Sequence, residues 1–474
     1  MHRLVVVFTW FAHVGYGRRL QTSMTRWQTN LHAESQTPVQ TSRPPKSFKP
    51  YPFQYHQELE LKIEGLTNLG MGVGRVNVKP SKKHPKGFQG FVVMVPNVIP
   101  GETVRVRVLR NAKKHAEADL VEVLDPREDI RVQPQCPYFS KCGGCQYQHM
   151  TVDAQREWKR QQVEYVMHRI GGIQDINVSP TIGSEHHFGY RSKITPHVDA
   201  PDSMEELGRA CIGFQRRGTL SHLGVANLID VECCKIATDA INQKYSTTRD
   251  HLRGQWEEGK LSKKGATLLF RDCEEGVATD SGVTISQKVG DKLFRFKAGE
   301  FFQNNAYVLP LMVEHVIRLA TGDGCTHLID TYCGSGLFGI SGANYFTHVS
   351  GVEVSELAVE AARSNALLNN VTNADFLCAP AEAIFSRLDS NVFRKESTAV
   401  IIDPPRKGCD AAFLEQLFEF SPRKLLYVSC DPATQARDAA QIIAHGYQIT
   451  HCTPFDLFPQ TRHIENVMVF LNVQ

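Results

Sequence analysis

The chain has 474 residues, 42% of them hydrophobic and 22% charged, with a formal net charge of +3. That length exceeds one ordinary core and predicts two to four domains, while no apolar run approaches the length needed to span a bilayer, so no membrane association is expected. The mild charge neither demands nor excludes a nucleic-acid partner, and thirteen cysteines, several adjacent or inside predicted strands, argue for thiols and metal ligands against a secreted disulfide framework.

Residues 1–50 carry Arg3, Arg18, Arg19, Arg26, Arg43 and Lys46 against a single acid, Glu34, among many Ser, Thr and Gln. This is the composition of a transit segment, and import into a mitochondrion or plastid is expected, with the cytoplasm as the alternative if the segment is only a disordered tail. A secretory reading of the apolar residues 4–11 is opposed by the lack of a small-x-small cleavage site and by the cysteine usage.

From residue 54 to 126 the pattern changes. Leu59, Leu61 and Ile63 alternate with Glu60, Lys62 and Glu64, and residues 91–95, 104–108 and 120–124 add further strands separated by glycine turns. Short strands at this spacing predict a small β-barrel of the kind that faces single-stranded nucleic acid. Eleven Lys and Arg against eight Asp and Glu make it modestly basic, with Lys79, Lys82, Lys83 and Lys86 in one loop. Gly70-Met-Gly-Val-Gly-Arg75, Phe91-Val92 and Pro100-Gly-Glu-Thr-Val104 resemble the TRAM domain found at the front of RNA-modifying enzymes.

Residues 127–285 form a central domain opened by a cysteine loop. Cys136, Cys142 and Cys145 stand as Cys-x5-Cys-x2-Cys around Gly143 and Gly144, so the backbone can wrap one soft metal centre. Zinc and an iron–sulfur cluster both accept such ligands, three cysteines leave one position open, and Cys233 and Cys234 are the evident donors. After the loop, Trp158, Val163, Val166 and Met167 recur at helical spacing and are expected to pack a core. Tyr190-Arg191-Ser192-Lys193 and Gly213-Phe214-Gln215-Arg216-Arg217 set basic residues beside aromatics, which suits phosphate contact and base stacking as well as ordinary surface charge.

Residues 286–474 alternate strands and helices, the signature of a doubly wound sheet. Asp330-Thr-Tyr-Cys-Gly334-Ser-Gly336-Leu-Phe-Gly339 reads as strand, glycine turn and helix start, and Glu353 ends the next strand. The glycines satisfy the dinucleotide fingerprint, so a nicotinamide dehydrogenase is a formal contender. Methyltransferases that use S-adenosylmethionine have the same turn and acidic residue, and they carry a polar motif after the fourth strand, here Asp403-Pro404-Pro405-Arg406. Amino-group methyltransferases have an aromatic where this chain has Arg406, a residue that can instead donate to pyrimidine carbonyl oxygens. The run 425–428 reads as a buried strand ended by Asp431-Pro432, which places Cys430 at a strand's carboxyl edge, where open α/β sheets bind ligands.

Phe301-Phe302-Gln303-Asn304-Asn305, the glycine turn with Glu353, Asp403-Pro-Pro-Arg406, Ser429-Cys430-Asp431-Pro432 and His463-Ile464-Glu465-Asn466-Val467 resemble, in order, the motifs of the RNA uracil-5-methyltransferases. The cysteine loop and the TRAM-like barrel are similar to those of the ribosomal branch, and the resemblance covers residues 55–474. It implies an α/β fold: a Rossmann-like class I methyltransferase domain preceded by a small OB-like TRAM barrel and an iron–sulfur-containing central domain. It further implies S-adenosylmethionine held by Gln303, Tyr332, Glu353 and Asp403, with Glu353 on the ribose. Cys430 is the implied nucleophile, adding to carbon 6 of uracil so that carbon 5 can take the methyl group, and Glu465 is the implied base that removes the hydrogen from carbon 5. The fourth cluster ligand aligns with Cys234, because Ile236 then keeps its place, and Cys136, Cys142, Cys145 and Cys234 would hold a [4Fe-4S] cluster, with zinc as the alternative. The substrate is ribosomal or transfer RNA, whose target base must leave its stack, and a monomer is expected. A non-catalytic RNA-binding or ribosome-assembly protein is the alternative from another class, opposed by the presence of both Cys430 and Glu465.

Overall fold

The computed structural model describes residues 44–45, 48–80, 87–199, 210–217, 228–261 and 264–473. Residues 1–43 of the expected transit segment, and Lys82, Lys83 and Lys86 of the expected basic loop, lie outside them. Two compact units divide the chain, one ending at Arg127 and the other beginning at Glu128. No described helix is long and apolar enough to cross a membrane.

In the first unit, the alternation around Leu59 becomes β1 (Glu58–Lys62), followed by β2 (Gly65–Leu66), β3 (Met71–Val78), β4 (Phe88–Pro96), β5 (Thr103–Asn111) and β6 (His115–Asp125). They form one sheet in the order β1-β5-β6-β4-β3-β2. Because β1 and β2 are nearly continuous yet pair with opposite edges, the segment from residue 58 to 66 closes the sheet into a small barrel. Leu61, Ile63, Val93, Val95, Val104, Val106 and Val108 fill its interior. The outward positions carry charge in opposed pairs: Arg105 meets Glu60 at 3.4 Å and Glu122 at 2.9 Å, Arg107 meets Glu58 at 2.9 Å, and Arg110 pairs with Glu117. Each of these partners sits directly across a strand pair, so register alone brings the charges together.

The second unit begins with the cysteine loop and helix α1 (Val152–Arg169), whose Thr151 cap accepts from the Ala154 N–H. As its spacing predicts, Trp158, Val163, Val166 and Met167 are buried. Short strands follow: β7 (Lys193–Ile194), β8 (His197–Asp199), β9 (Cys211–Gln215) and β10 (Leu228–Asp230), then helix α2 (Asp239–Glu257), β11 (Ala266–Thr267), β12 (Phe270–Cys273), β13 (Gly276–Ala278) and the hairpin β14 (Thr284–Val289) and β15 (Lys292–Lys297). These residues, expected to stand as a domain of their own, pack with the carboxyl-terminal sheet in one unit.

That sheet is built from β16 (His327–Thr331), β17 (His348–Glu353), β18 (Ala374–Cys378), β19 (Thr398–Ile402), β20 (Lys424–Ser429), β21 (Tyr447–Phe455) and β22 (Glu465–Asn472) in the order β18-β17-β16-β19-β20-β22-β21. The strands β16 to β20 run parallel and β22 returns antiparallel beside β20. Their near-continuous apolar runs follow from helices covering the sheet: α3 (Leu309–Ala320), α4 (Leu337–Gly342), α5 (Glu356–Leu368), α6 (Ala411–Phe420) and α7 (Pro432–Ala444). Chain order departs from spatial order between β16 and β19, the switch point at which such sheets bind ligands.

A fully buried charged pair lies inside this unit. Lys159, on the apolar stripe of α1, reaches the Asp456 carboxylate at 2.6 Å, and both side chains are fully buried. Burial pulls the Lys159 ammonium below its ordinary range while Asp456 opposes that shift. Removing Lys159 leaves the buried Asp456 carboxylate with only the longer contact to Arg156 at 3.9 Å, so Lys159→Met should destabilise the protein by about 3 kcal/mol in equilibrium denaturation. A loss within about 1 kcal/mol, typical of exposed pairs, would show that the pair carries no such weight.

Candidate active site

Parallel pairing of β16, β19 and β20 sets the ends of three strands side by side, so Tyr332, Asp403 and Cys430 each follow a strand on the same edge of the sheet. Glu353 ends β17 on that edge. Because β22 is antiparallel, its first residue, Glu465, arrives where β20 ends: Ser429 lies opposite Asn466. The sheet thus brings together five of the six residues expected to do the chemistry and hold the cofactor. Gln303, the sixth, is buried in the segment before α3, where its carbonyl accepts from Gln287 and the neighbouring Asn305 donates to the Leu457 carbonyl at 2.9 Å.

The electrostatics around Cys430 are those of acids sharing one cation. Burial pushes the Cys430 thiol up to about 12, Glu465 and Asp403 add to that shift, and Arg406 opposes it by charge and a hydrogen bond. Glu465 is buried and its carboxyl lies well above the usual range, through burial and then Asp403, again opposed by Arg406. Burial holds Asp403 at about 7. Cys430 therefore keeps its proton at neutral pH, and Glu465 is shifted in the same direction, toward holding its own.

Arg406 is held from behind. Helix α7 presents Thr434, Arg437 and Asp438 on one face: the Thr434 hydroxyl donates to the Arg406 carbonyl at 3.2 Å, Arg437 donates to the Lys407 carbonyl at 3.0 Å, and the buried Asp438 accepts from the Cys409 N–H at 2.9 Å and the Tyr427 hydroxyl at 2.8 Å. Gly408 turns the loop at φ +78°, where an added Cβ would lie 2.5 Å from both Arg437 and Asp438. The same helix starts at Asp431, whose carboxylate accepts from the N–H groups of Ala433 and Thr434, so one rigid element fixes both Cys430 and Arg406.

The cofactor side is a glycine turn. Tyr332 and Gly334 have φ of +61° and +54°, and a Cβ built on Gly334 meets nothing within 4 Å, which leaves an open cradle over the turn. Glu353 accepts the Gly334 N–H at 3.2 Å and the Ser355 N–H at 2.9 Å, one on each carboxylate oxygen, so each oxygen keeps acceptor capacity for a hydroxyl. Beneath it, the fully buried Asp330 accepts from Gly339 at 2.8 Å, and burial raises it to about 7. These residues fit S-adenosylmethionine: an open backbone turn and a carboxylate at the end of the second strand.

The expected metal ligands converge without closing a single-ion site. The Cys145 thiol is raised by burial and by the charges of Cys234, Cys142 and Cys136, and Cys234 is raised to about 11 by burial with Cys142 contributing. Cys233 acts on Cys136 instead. Among the described residues no group of three or more His, Cys, Asp or Glu is close enough to hold a metal ion. The loop is anchored by Gly143, which donates to the Gln215 carbonyl at 3.0 Å, and by the Cys142–Arg216 bridge at the end of β9.

Two groups at this site, Asp438 and Gln435, carry no motif, and a third, His463, stands in a motif without an expected role. Asp438 and Gln435 lie on α7, and Gln435 ties Tyr427 to Asn466 through their carbonyls at 2.8 and 3.1 Å. His463, two residues before Glu465, is pushed down to about 3 by burial and by Arg462, Arg406, Lys159 and Arg191, so it stands neutral among cations.

The sheet order, the glycine turn and the acidic residue after it define a class I methyltransferase that uses S-adenosylmethionine. Residues 273–473 match the family model described as tRNA (uracil-5-)-methyltransferase, and residues 53–121 match the TRAM domain. The chain is 38% identical to the tRNA (uracil(54)-C(5))-methyltransferase of Schizosaccharomyces pombe, over 89% of this chain and 80% of that protein, and 32% identical to the enzyme of the same name from Saccharomyces cerevisiae, over 90% and 75%. It resembles the crystal structure of Pyrococcus abyssi tRNA (uracil-54, C5)-methyltransferase in complex with S-adenosyl-L-homocysteine, with a TM-score of 0.63 and 25% identity over 87% of this chain and 99% of that one. The chain belongs to the tRNA (uracil-5-)-methyltransferase family and is an S-adenosylmethionine-dependent enzyme.

The charge balance at Cys430 makes a direct test. Alkylation of Cys430 by iodoacetamide should be slow at pH 7 and rise with pH toward about 12. Arg406 favours the thiolate, so Arg406→Met should leave less of it at pH 8 and slow alkylation by about tenfold, while Arg406→Lys should retain part of the rate. An unchanged rate in Arg406→Met would remove Arg406 from the activation of the thiol.

Proposed function

We propose that the protein forms 5-methyluridine at position 54 of transfer RNA by covalent catalysis through Cys430. The observation that carries this reading is the meeting of Cys430, Glu465 and Arg406 at one sheet edge, where Glu465 and Arg406 both act on the thiol. Transfer RNA is favoured over ribosomal RNA by the relatives named for it, which match nearly the full chain.

S-adenosylmethionine, held by Gln303, Tyr332, Glu353 and Asp403, supplies the methyl group. The Cys430 thiol gives its proton to solvent and the thiolate adds to carbon 6 of the extruded uracil, which moves the electron pair of the 5,6 double bond into an enolate, makes carbon 5 nucleophilic and leaves a charged ring oxygen to which Arg406 donates. After carbon 5 has gained the methyl group, Glu465 takes its remaining proton, the 5,6 double bond re-forms and the thiolate leaves. One cation faces these acids, and it can balance one anion well at a time. Once methyl transfer has discharged the enolate, Arg406 is free to favour the carboxylate of Glu465, which gives its own proton to solvent before it takes the one on carbon 5.

Cys136, Cys142, Cys145 and Cys234 would hold a [4Fe-4S] cluster in this reading, supported by four half-buried thiols whose charges act on one another and by the likeness of the loop to the ribosomal branch. The arginine-rich first 50 residues support import into an organelle.

Mass-spectrometric mapping of 5-methyluridine in cells lacking the protein should show loss at transfer RNA position 54, restored by the wild-type chain and not by Cys430→Ala. Loss from ribosomal RNA alone would overturn the transfer RNA assignment, and restoration by Cys430→Ala would rule out the covalent route. Protein purified without oxygen should be brown with about four iron atoms per chain. Colourless protein with one equivalent of zinc would replace the cluster by a zinc site and leave the methyltransferase reading intact.

A further inference from the structure

Residues 456–464 connect β21 to β22 and end immediately before Glu465. The strand pairing itself holds Glu465 on one side only: it is the terminal partner of Phe455 in β21, while the pairing of β22 with β20 starts at Asn466. What reaches Glu465 from the other direction is the connecting loop, and that loop is gripped almost residue by residue from the amino-terminal part of the same unit.

Lys159 binds the Asp456 carboxylate and donates to the Phe458 carbonyl at 3.2 Å. The Tyr190 hydroxyl donates to the Pro459 carbonyl at 2.9 Å. Gln460 is the centre of the grip. Its N–H donates to Gln155 Oε1 at 2.9 Å, its side-chain Oε1 accepts from Gln155 Nε2 at 3.0 Å, and its carbonyl accepts the N–H groups of Gln146 and Tyr147, both at 3.0 Å. Gln146 Oε1 then accepts the Arg462 N–H at 3.1 Å. Gln155 also donates to the carbonyls of Tyr147 and Met150, so its amide joins α1, the end of the cysteine loop and the connecting loop.

Two further facts separate this arrangement from ordinary packing. Gln460 has φ +69°, in the left-handed region that a residue with a side chain avoids, and it is 3% exposed. Such a conformation persists where surrounding contacts over-determine it, and such sites gather where positions matter for function. Gln155 is 0% exposed, and its amide oxygen and nitrogen both have partners, so a smaller side chain would strand buried backbone groups.

We infer that Gln155 and Gln460 form a positioning clamp that sets the loop leading to Glu465, and that through this clamp the cysteine loop bears on the proton-removal step. Neither residue touches the reacting atoms; both act through Glu465. The inference rests on the reading of Cys430 as covalent nucleophile and Glu465 as base.

A displaced base slows elimination more than methyl transfer, so clamp variants should accumulate the methylated protein–RNA adduct, whereas a loss of general stability lowers both steps together. Misplacement of a catalytic group by a distant change costs on the order of ten- to a hundredfold in rate. The variants are Gln155→Ala and Gln460→Gly, in the full chain. Gln460→Gly keeps the backbone N–H and carbonyl and suits the left-handed conformation, which protects folding while removing the side-chain link. Single-turnover methyl transfer from labelled S-adenosylmethionine and adduct on denaturing gels are measured together, beside Glu465→Gln. Adduct in Glu465→Gln and in both clamp variants, with methyl transfer within a few-fold of wild type, is the expected result. Adduct in Glu465→Gln but wild-type partitioning in Gln460→Gly would overturn the clamp and leave the base assigned. No adduct in Glu465→Gln together with normal turnover would overturn the base assignment and the clamp with it.

Discussion

Arg406 sits among groups that each favour holding a proton. Burial raises Cys430, Glu465 and Asp403 alike, and in the balance of the first two it is the guanidinium of Arg406 that pulls the other way. A guanidinium keeps its charge at every working pH, so its placement governs which acid ionises. The surrounding architecture serves that placement. Helix α7 starts at the residue after Cys430 and grips the Arg406 loop one to two turns later, so the distance between nucleophile and cation is a property of a single rigid element. Side chains on rigid elements keep their geometry better than side chains on free loops, and here a loop borrows the rigidity of a helix.

The parts of the site legible in the sequence are those written in contiguous residues. Strand, glycine turn and helix start are local events, so the cradle at Gly334 and Gly336 and the position of Cys430 beyond a buried strand follow from patterns of a dozen residues or fewer. The barrel was legible for the same reason: its strands alternate cleanly, and its register brings Arg105, Arg107 and Arg110 opposite acids. The central part was not. Its strands β7, β8, β10, β11 and β13 are two or three residues long, too short to show a period, and they are stabilised by pairing with distant segments. Gln155 and Gln460 are 305 positions apart, and no local rule joins them. The thiol spacing of Cys136, Cys142 and Cys145 was plain, but no local rule says which distant cysteine lies nearest them, and Cys234 is placed by a turn in which its N–H donates to Asn242 at 2.9 Å.

The cysteine loop and the catalytic edge are neighbours in this fold although the sequence sets them at opposite ends of the unit. Gln146 follows Cys145 directly, and its backbone and side chain both bind the segment that delivers Glu465. The central part is therefore an integral wall of the site, in keeping with its grouping with the sheet in one compact unit.

The barrel's paired charges bear on how it meets a polyanion. Binding of RNA draws strength from cations released when basic side chains neutralise phosphates, and that release sets how steeply affinity falls with salt. Arg105, Arg107 and Arg110 already have carboxylate partners at cross-strand distance, so each would have to exchange an acid for a phosphate and would leave that acid bare beside the RNA. If the barrel meets RNA, the number of its basic residues therefore overstates the number of phosphates it would neutralise. Lys113 and Lys114, which sit in the turn between β5 and β6, are better placed to displace counterions than the arginines on the strands.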